Sequence, residues 1–266
     1  SGEPSPAGPP EVDGDEAGAG AGSAEPGTPD EVAAHPEESG PRAGLPTRTR
    51  ILEAVLAGER PEDVLVATTG HTGRELHDLA DGPRRLYLVG SMGSASALGT
   101  GLALARPERR VVVLDGDGAL LMRMGNLALV AAEAPSSFLH VVLDNGVHAS
   151  TGGQPVTGAG PAGPAARAAS RGRGRTEPGG PAERGDPGAR RSTGGVDFAA
   201  AARACGYAGA VTTADPDRVE RLVRARPPGP FLVHVRIRPG RPASGLGRPT
   251  LEPHEVKERL VRELAG

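Results

Sequence analysis

The chain is 266 residues long, with a formal net charge of −3 and a single cysteine, Cys205. That balance gives no overall attraction to nucleic acid or anionic membrane, and one cysteine excludes an intramolecular disulfide. With 41 Gly and 27 Pro the composition is too rich in chain breakers for one uniformly folded body; much of the excess sits in two blocks that leave a compact remainder. No apolar run approaches a membrane span, and the N-terminal stretch lacks the basic start and apolar core of a signal peptide, so a soluble cytoplasmic protein is expected.

Residues 1–45 are Gly, Pro, Ala, Glu and Asp with almost no large apolar side chain. They cannot bury enough surface to offset the entropy of ordering and read as a disordered acidic tail. From Thr47 the pattern changes: Ile51, Leu52, Val55 and Leu56 recur at helical spacing until Gly58. Val64-Leu65-Val66-Ala67 reads as a buried strand ending at Thr68-Thr69-Gly70-His71-Thr72-Gly73, with a helix over 74–80. Residues 86–89 form a second strand that ends at Gly90-Ser91-Met92-Gly93, followed over 94–105 by a small-residue helix that can lie close to a sheet.

Two further strands, 111–114 and 138–143, flank one apolar helix over 120–133. Residues 157–195, with seven Arg against three acids and no buriable core, read as a disordered insert. Its Arg171-Gly-Arg-Gly-Arg175 run resembles RNA-binding Arg-Gly segments but lacks interleaved aromatics, so no nucleic-acid partner is expected. Order returns with a helix from 198 to Cys205, a strand over 208–212, a helix over 217–225 capped by Asp215-Pro216, and a last strand over 231–237. A polar helix closes the chain within 251–266.

Strands alternating with helices predict an α/β fold, a parallel six-stranded sheet with helices on both faces. It would occupy residues 46–250, interrupted by the insert. Ligands bind such sheets at the carboxyl ends of the strands. There Asp117 and Asn145, 28 positions apart, would bring a carboxylate and an amide oxygen together. That pair suits Mg²⁺, a hard cation that takes oxygen ligands and shares them with phosphates. Gly116 bounds the first turn, and Gly118 and Ala119 would open a helix whose free N–H groups can hold the phosphates. Taken alone, Gly116-Asp117-Gly118 is equally a tight turn after a strand. No Gly-x-Gly-x-x-Gly follows the first strand, which argues against a nicotinamide dehydrogenase.

Gly116-Asp117-Gly118 followed by Asn145 resembles the thiamin-diphosphate motif. The longer set Thr69-Gly70-His71-Thr72-Gly73-Arg74-Glu75-Leu76, Gly90-Ser91-Met92-Gly93, Asn145-Gly146-Val147-His148 and Gly152-Gly153-Gln154-Pro155 is similar to the thiamin-diphosphate-dependent decarboxylases of the phosphonopyruvate and sulfopyruvate type. The resemblance covers residues 48–156 and 196–250, the diphosphate-binding half of such an enzyme. It implies that Asp117, the side-chain oxygen of Asn145 and the carbonyl of Val147 ligate Mg²⁺, with Asp144 standing where many relatives have Asn. It implies that Thr69, Gly70 and His71 contact the diphosphate, although Thr69 is equally suited to capping a turn. In the Gly90-Ser91-Met92-Gly93 segment, Met92 would bend the cofactor and the Gly90 carbonyl would receive its 4′-amino group.

His148 would bind an anionic substrate or move a proton, or else only orient its loop. Arg74 and Glu75 read as an ion-pair or helix-start pair. Because such enzymes hold the cofactor between two domains, the resemblance implies a hetero-oligomer with a pyrimidine-binding subunit that supplies the catalytic Glu. The activity implied is decarboxylation of an anionic 2-oxo acid, 3-phosphonopyruvate first and sulfopyruvate as the alternative. A non-catalytic cofactor-binding relative without its partner domain is the reading from a different class.

Overall fold

The structure is a computed structural model that describes residues 42–156, 195–240, 247 and 249–265. The tail expected over 1–45 and the insert expected over 157–195 lie outside the described residues, except for 42–45 and Gly195. Residues 42–45 form a turn in which the Leu45 N–H donates to the Arg42 carbonyl, and the Arg238 N–H ties the adjoining Pro46 carbonyl to the end of the last strand.

The sheet is formed by β1 (Val64–Ala67), β2 (Arg85–Tyr87), β3 (Val111–Gly116), β4 (Phe138–Asp144), β7 (Gly209–Thr213) and β8 (Phe231–Arg236). Its order is β2-β1-β3-β4-β8-β7, and every pair is parallel. The six-stranded parallel sheet is therefore as expected. A two-residue hairpin, β5 (Val147–His148) with β6 (Gln154–Pro155), stands apart from it and was not anticipated.

Both faces are covered, which is why the central strands read as unbroken Val and Leu runs. Leu65, Val112 and Val141 pack on one side with Ile51, Leu52 and Val55 of α1 (Arg48–Gly58), Leu76 of α2 (His71–Ala80), and Val219 and Val223 of α7 (Pro216–Ala225). Val66, Val113 and Val142 face the other way, toward Ala95 of α3 (Ala95–Ala105), Leu127 and Val130 of α5 (Asn126–Glu133), and Phe198 and Ala202 of α6 (Phe198–Cys205). Helix α8 (Pro253–Ala265) closes the chain, with Val256 on the first side and Leu260 on the second. Gly99 lets α3 lie against β3: a Cβ there would sit 2.3 Å from Val113 Cγ2.

Two expectations are corrected. The single helix over 120–133 is two, α4 (Asp117–Met122) and α5, separated by a turn at 123–125, and α4 begins at Asp117 rather than after it. Helix α2 starts at His71, three residues earlier than the apolar pattern suggested, with Gly70 at its N-cap in a φ of 96° that favours glycine. Among the described residues no helix is long and apolar enough to cross a membrane.

The connections from β1 and from β3 leave in opposite directions along the sheet, to β2 and to β4. The crevice between the carboxyl ends of β1 and β3 is thus the switch point at which α/β sheets take ligands. Thr68 follows β1 there, bound through its N–H to the Leu114 carbonyl at 2.9 Å, and Asp117 follows β3.

Candidate functional site

Register places the metal-ligand candidates. Gly116 pairs with Leu143, so the next residues, Asp117 and Asp144, stand side by side at the strand ends and Asn145 lies one step beyond. The Gly146 N–H donates to Asp117 Oδ2 at 2.8 Å, which fixes the distance between the two loops. Asn145 Oδ1 accepts the Val147 N–H at 3.0 Å, and an amide oxygen keeps a second lone pair for another partner. Asp117 and Asn145 are buried.

The cleft over these residues is lined on the metal-loop side by Gly116, Asp117, Gly118, Ala119, Asn145 and Val147. Facing them are Thr68, Thr69 and His71 from the end of β1 and the start of α2, with Met92 and His148 at the margin. The bare Gly118 admits a ring: a Cβ there would lie 2.5 Å from both Cε1 and Nδ1 of His148. The imidazole of His148 therefore rests directly on the Gly116-Asp117-Gly118 turn.

Gly70, Gly90 and Ser91 are not in this cleft. They line a larger adjoining groove with Tyr87, Leu88 and Val89, and Thr69 and Met92 are common to both. The Gly90 N–H donates to Thr69 Oγ1 at 3.2 Å, which ties the groove loop to the end of β1. The Gly90-Ser91-Met92-Gly93 segment bends sharply, with φ of 75°, 48° and 86° at Gly90, Ser91 and Gly93. Gly93 packs against α4 so closely that a Cβ would meet the Ala119 carbonyl at 2.5 Å, and Asn126 Nδ2 donates to the Gly93 carbonyl at 3.0 Å.

Electrostatics set two neighbouring carboxylates apart. Burial first, and then the charge of Asp144, push the Asp117 carboxyl well above the usual carboxylate range. Burial would also raise Asp144, but hydrogen bonds from His234 and Arg42, with their positive charge, hold it below that range. An arrangement that penalises the Asp117 anion favours any cation placed beside it.

Three contributors carried no signal in the sequence. The Thr68 side chain is 3% exposed, lines the cleft, and its hydroxyl has no hydrogen-bond partner among the described residues. Arg48, also in the cleft wall, is 8% exposed and donates to Glu75 Oε1 at 2.6 Å, with Thr49 donating to Oε2. Glu75 thus makes the ion pair expected of it, but across to α1 rather than with Arg74. The third contributor is Arg42, which donates to both the carbonyl and the carboxylate of Asp144.

The site suits an anion bearing a hard cation. Its lining includes the Asp117 carboxylate and the Asn145 amide, and no group of three or more His, Cys, Asp or Glu gathers anywhere among the described residues, as a zinc site would require. On the facing wall the Thr68 hydroxyl has no hydrogen-bond partner among the described residues, and α2 begins beside it at His71.

Comparison with known proteins agrees. Residues 69–235 match the family described as thiamine pyrophosphate enzyme, C-terminal TPP binding domain. The chain is 41% identical over 229 residues to a phosphonopyruvate decarboxylase of Streptomyces hygroscopicus, covering 85% of this chain but 48% of that relative, so it spans about half the relative's length. It is 32% identical over 217 residues to the sulfopyruvate decarboxylase subunit beta of Methanothermobacter thermautotrophicus, covering 81% of this chain and 95% of the subunit. In fold it is similar to a 2-oxoglutarate:ferredoxin oxidoreductase from Magnetococcus marinus, with a TM-score of 0.51, 19% identity, and 74% and 64% of the two chains covered. The chain belongs to the thiamine pyrophosphate enzymes and carries their C-terminal cofactor-binding domain.

Proposed function

We propose that this chain is the diphosphate-binding half of a thiamin-diphosphate- and Mg²⁺-dependent decarboxylase of a 3-substituted pyruvate, with 3-phosphonopyruvate the first candidate. The observation that carries the reading is the convergence at the β1/β3 crevice of oxygen donors on one wall and an unpartnered hydroxyl on the other. Kinship with the Streptomyces phosphonopyruvate decarboxylase over 85% of the chain supports the substrate class.

In this reading Asp117, the Asn145 side-chain oxygen and the Val147 carbonyl hold Mg²⁺. Thr68, Thr69, Gly70 and His71, at the end of β1 and the start of α2, would hold the diphosphate by charge-assisted hydrogen bonds. Gly116, Gly118 and Ala119 present bare backbone to it. Bound thiamin diphosphate would supply the electron sink that lets a 2-oxo acid lose CO₂. Met92, which lines both cavities, would support the cofactor's bend, with Gly90 and Ser91 lining the adjoining groove. His148, seated on Gly118, would hydrogen-bond an anionic 2-oxo acid or move a proton at the substrate.

A separate pyrimidine-binding subunit would contribute the catalytic Glu, making the active form a hetero-oligomer; the single cysteine fits a reducing cytoplasm. Sulfopyruvate is the second substrate reading, favoured by coverage of 95% of a protein named as a subunit of that decarboxylase.

The test is calorimetric titration with thiamin diphosphate and Mg²⁺, with and without the partner chain, followed by CO₂ release from 3-phosphonopyruvate and 3-sulfopyruvate. Mg²⁺-dependent binding that is lost in Asp117→Ala and weakened at least about tenfold in Thr68→Val is expected, since a hydrogen bond to a charged group is lost. Absence of Mg²⁺-dependent binding in either setting would reject the reading.

A further inference from the structure

The loop proposed to hold the cation is itself gripped by a residue from the far end of the fold. Arg42 Nη1 donates to the Asp144 carbonyl at 2.6 Å and to Asp144 Oδ1 at 2.9 Å, while Nη2 lies 3.4 Å from Oδ2. His234 Nε2 of β8 takes the same Oδ2 at 2.9 Å, and its Nδ1 lies 3.4 Å from Thr212 Oγ1 of β7. The Asp144 carbonyl also accepts the Ile237 N–H at 2.9 Å. Both carboxylate oxygens of Asp144 are thereby committed to cationic or donor side chains, so this carboxylate, beside Asp117, serves the loop and not the metal.

The next residues are held as firmly. Gly146 gives its N–H to Asp117, accepts the Val156 N–H on its carbonyl at 3.0 Å, and has the Arg42 guanidinium over its α-carbon. A Cβ at Gly146 would meet Arg42 Cζ at 3.3 Å, and the φ of 76° there already favours glycine. The guanidinium therefore lies against the 144–146 turn, which Asp117, β8 and the hairpin hold at other points. A planar fork that binds a carbonyl and a carboxylate together fixes orientation as well as distance, which an ammonium does not.

We propose that Arg42 is a positioning residue for the cation: through Asp144 and Gly146 it sets the geometry in which Asn145 and Val147 present their oxygens. This rests on the reading of Asp117, Asn145 and Val147 as Mg²⁺ ligands. Groups that orient metal ligands typically cost about 10- to 100-fold in metal affinity when removed. Because Arg42 is 24% exposed and outside the core, its loss leaves the sheet and both its packed faces intact.

The full chain would be titrated with Mg²⁺ in the presence of saturating inorganic pyrophosphate, an anion that needs only this half of the site, and heat evolution would be followed for wild type, Arg42→Ala and Arg42→Lys. Arg42→Ala is expected to need about tenfold more Mg²⁺ for half-saturation in a chain that stays folded at the temperature of the titration, with Arg42→Lys between it and wild type. Wild-type Mg²⁺ dependence retained in Arg42→Ala overturns the positioning role alone, as does a loss in Arg42→Ala that Arg42→Lys shares in full or that is explained by unfolding at the temperature of the titration. Failure of the wild type itself to bind Mg²⁺ and pyrophosphate overturns the cation site and this inference with it.

Discussion

Asp117→Asn should make the cation-free protein more stable while destroying its affinity for Mg²⁺. The side chain is 4% exposed and accepts the Gly146 N–H, so an ionised carboxylate there has lost most of its water and gained few donors. Asparagine keeps the shape and one acceptor oxygen for Gly146 without the charge. Burial and the neighbouring Asp144 raise the folded-state pKa of Asp117 above its unfolded value of about 3.9. The sign follows: its favourable contribution is complete below the unfolded value and is lost as pH rises through the folded one.

Wild type and variant should thus have similar stability near pH 4, and the variant should lead by about 2 kcal/mol near pH 8, the order of the desolvation penalty of a partly satisfied buried group. For a domain of this size that is roughly 5 °C in melting temperature. Asp144, held low by His234 and Arg42, contributes in the opposite sense, losing its stabilisation as pH falls, but it is common to both proteins. Thermal unfolding followed by circular dichroism between about pH 4 and 8, without and with Mg²⁺ and thiamin diphosphate, measures the difference. A variant less stable than wild type near pH 8, or a gap that does not change with pH, would refute the reasoning.

Gly118→Ala pushes a methyl to within 2.5 Å of the His148 ring, which can swing outward on its two-residue strand, so about 1 kcal/mol of stability should be lost but most of the turnover of the complete enzyme. Unchanged kcat would show that the ring's seat is unimportant. Glu75→Gln strips the buried Arg48 of its anion and should cost about 3 kcal/mol in urea unfolding, whereas a loss under about 1 kcal/mol would mean that the guanidinium finds water or another partner. Gly99→Ala gains helix propensity of about 1 kcal/mol but forces α3 off Val113 and Phe138, for a net loss of about 1–2 kcal/mol; a variant as stable as wild type would show that α3 shifts without strain.

The sheet could be read from the sequence because both of its faces are buried, which leaves strands such as Val111-Val112-Val113-Leu114 as solid apolar runs between helical stretches. That Asp117 and Asn145 lie at the ends of neighbouring strands could be read as well, because each closes an apolar run, but the register that sets Asp117 beside Asp144 could not. The break between α4 and α5 was hidden, because Leu120 to Met124 continues an apolar helical pattern and the turn is set from outside, where Asn126 reaches Gly93 and Gly93 touches Ala119. Thr68 and Thr69 could not be told apart, since neighbouring residues at a strand end point to opposite sides. Thr69 ties the groove loop, and Thr68 faces the cleft with its hydroxyl unmatched. Arg42, Arg48 and His234 act across 102, 27 and 90 positions of chain, distances over which no local pattern carries information.

One small cavity behind the cation loop is bounded by Val156 on one side and by Gly195, Val196 and Phe198 on the other. Val156 is pinned by its N–H to Gly146 and Phe198 is fully buried, so chain leaves and re-enters the fold at two anchored, adjacent points. A connection between neighbouring anchors can be a few residues or several dozen, because closure entropy grows only with the logarithm of length. Doubling the length of polypeptide strung between residues 156 and 195 should therefore cost the fold only about 0.6 kcal/mol, which makes this doorstep a place where added sequence is cheap for the sheet.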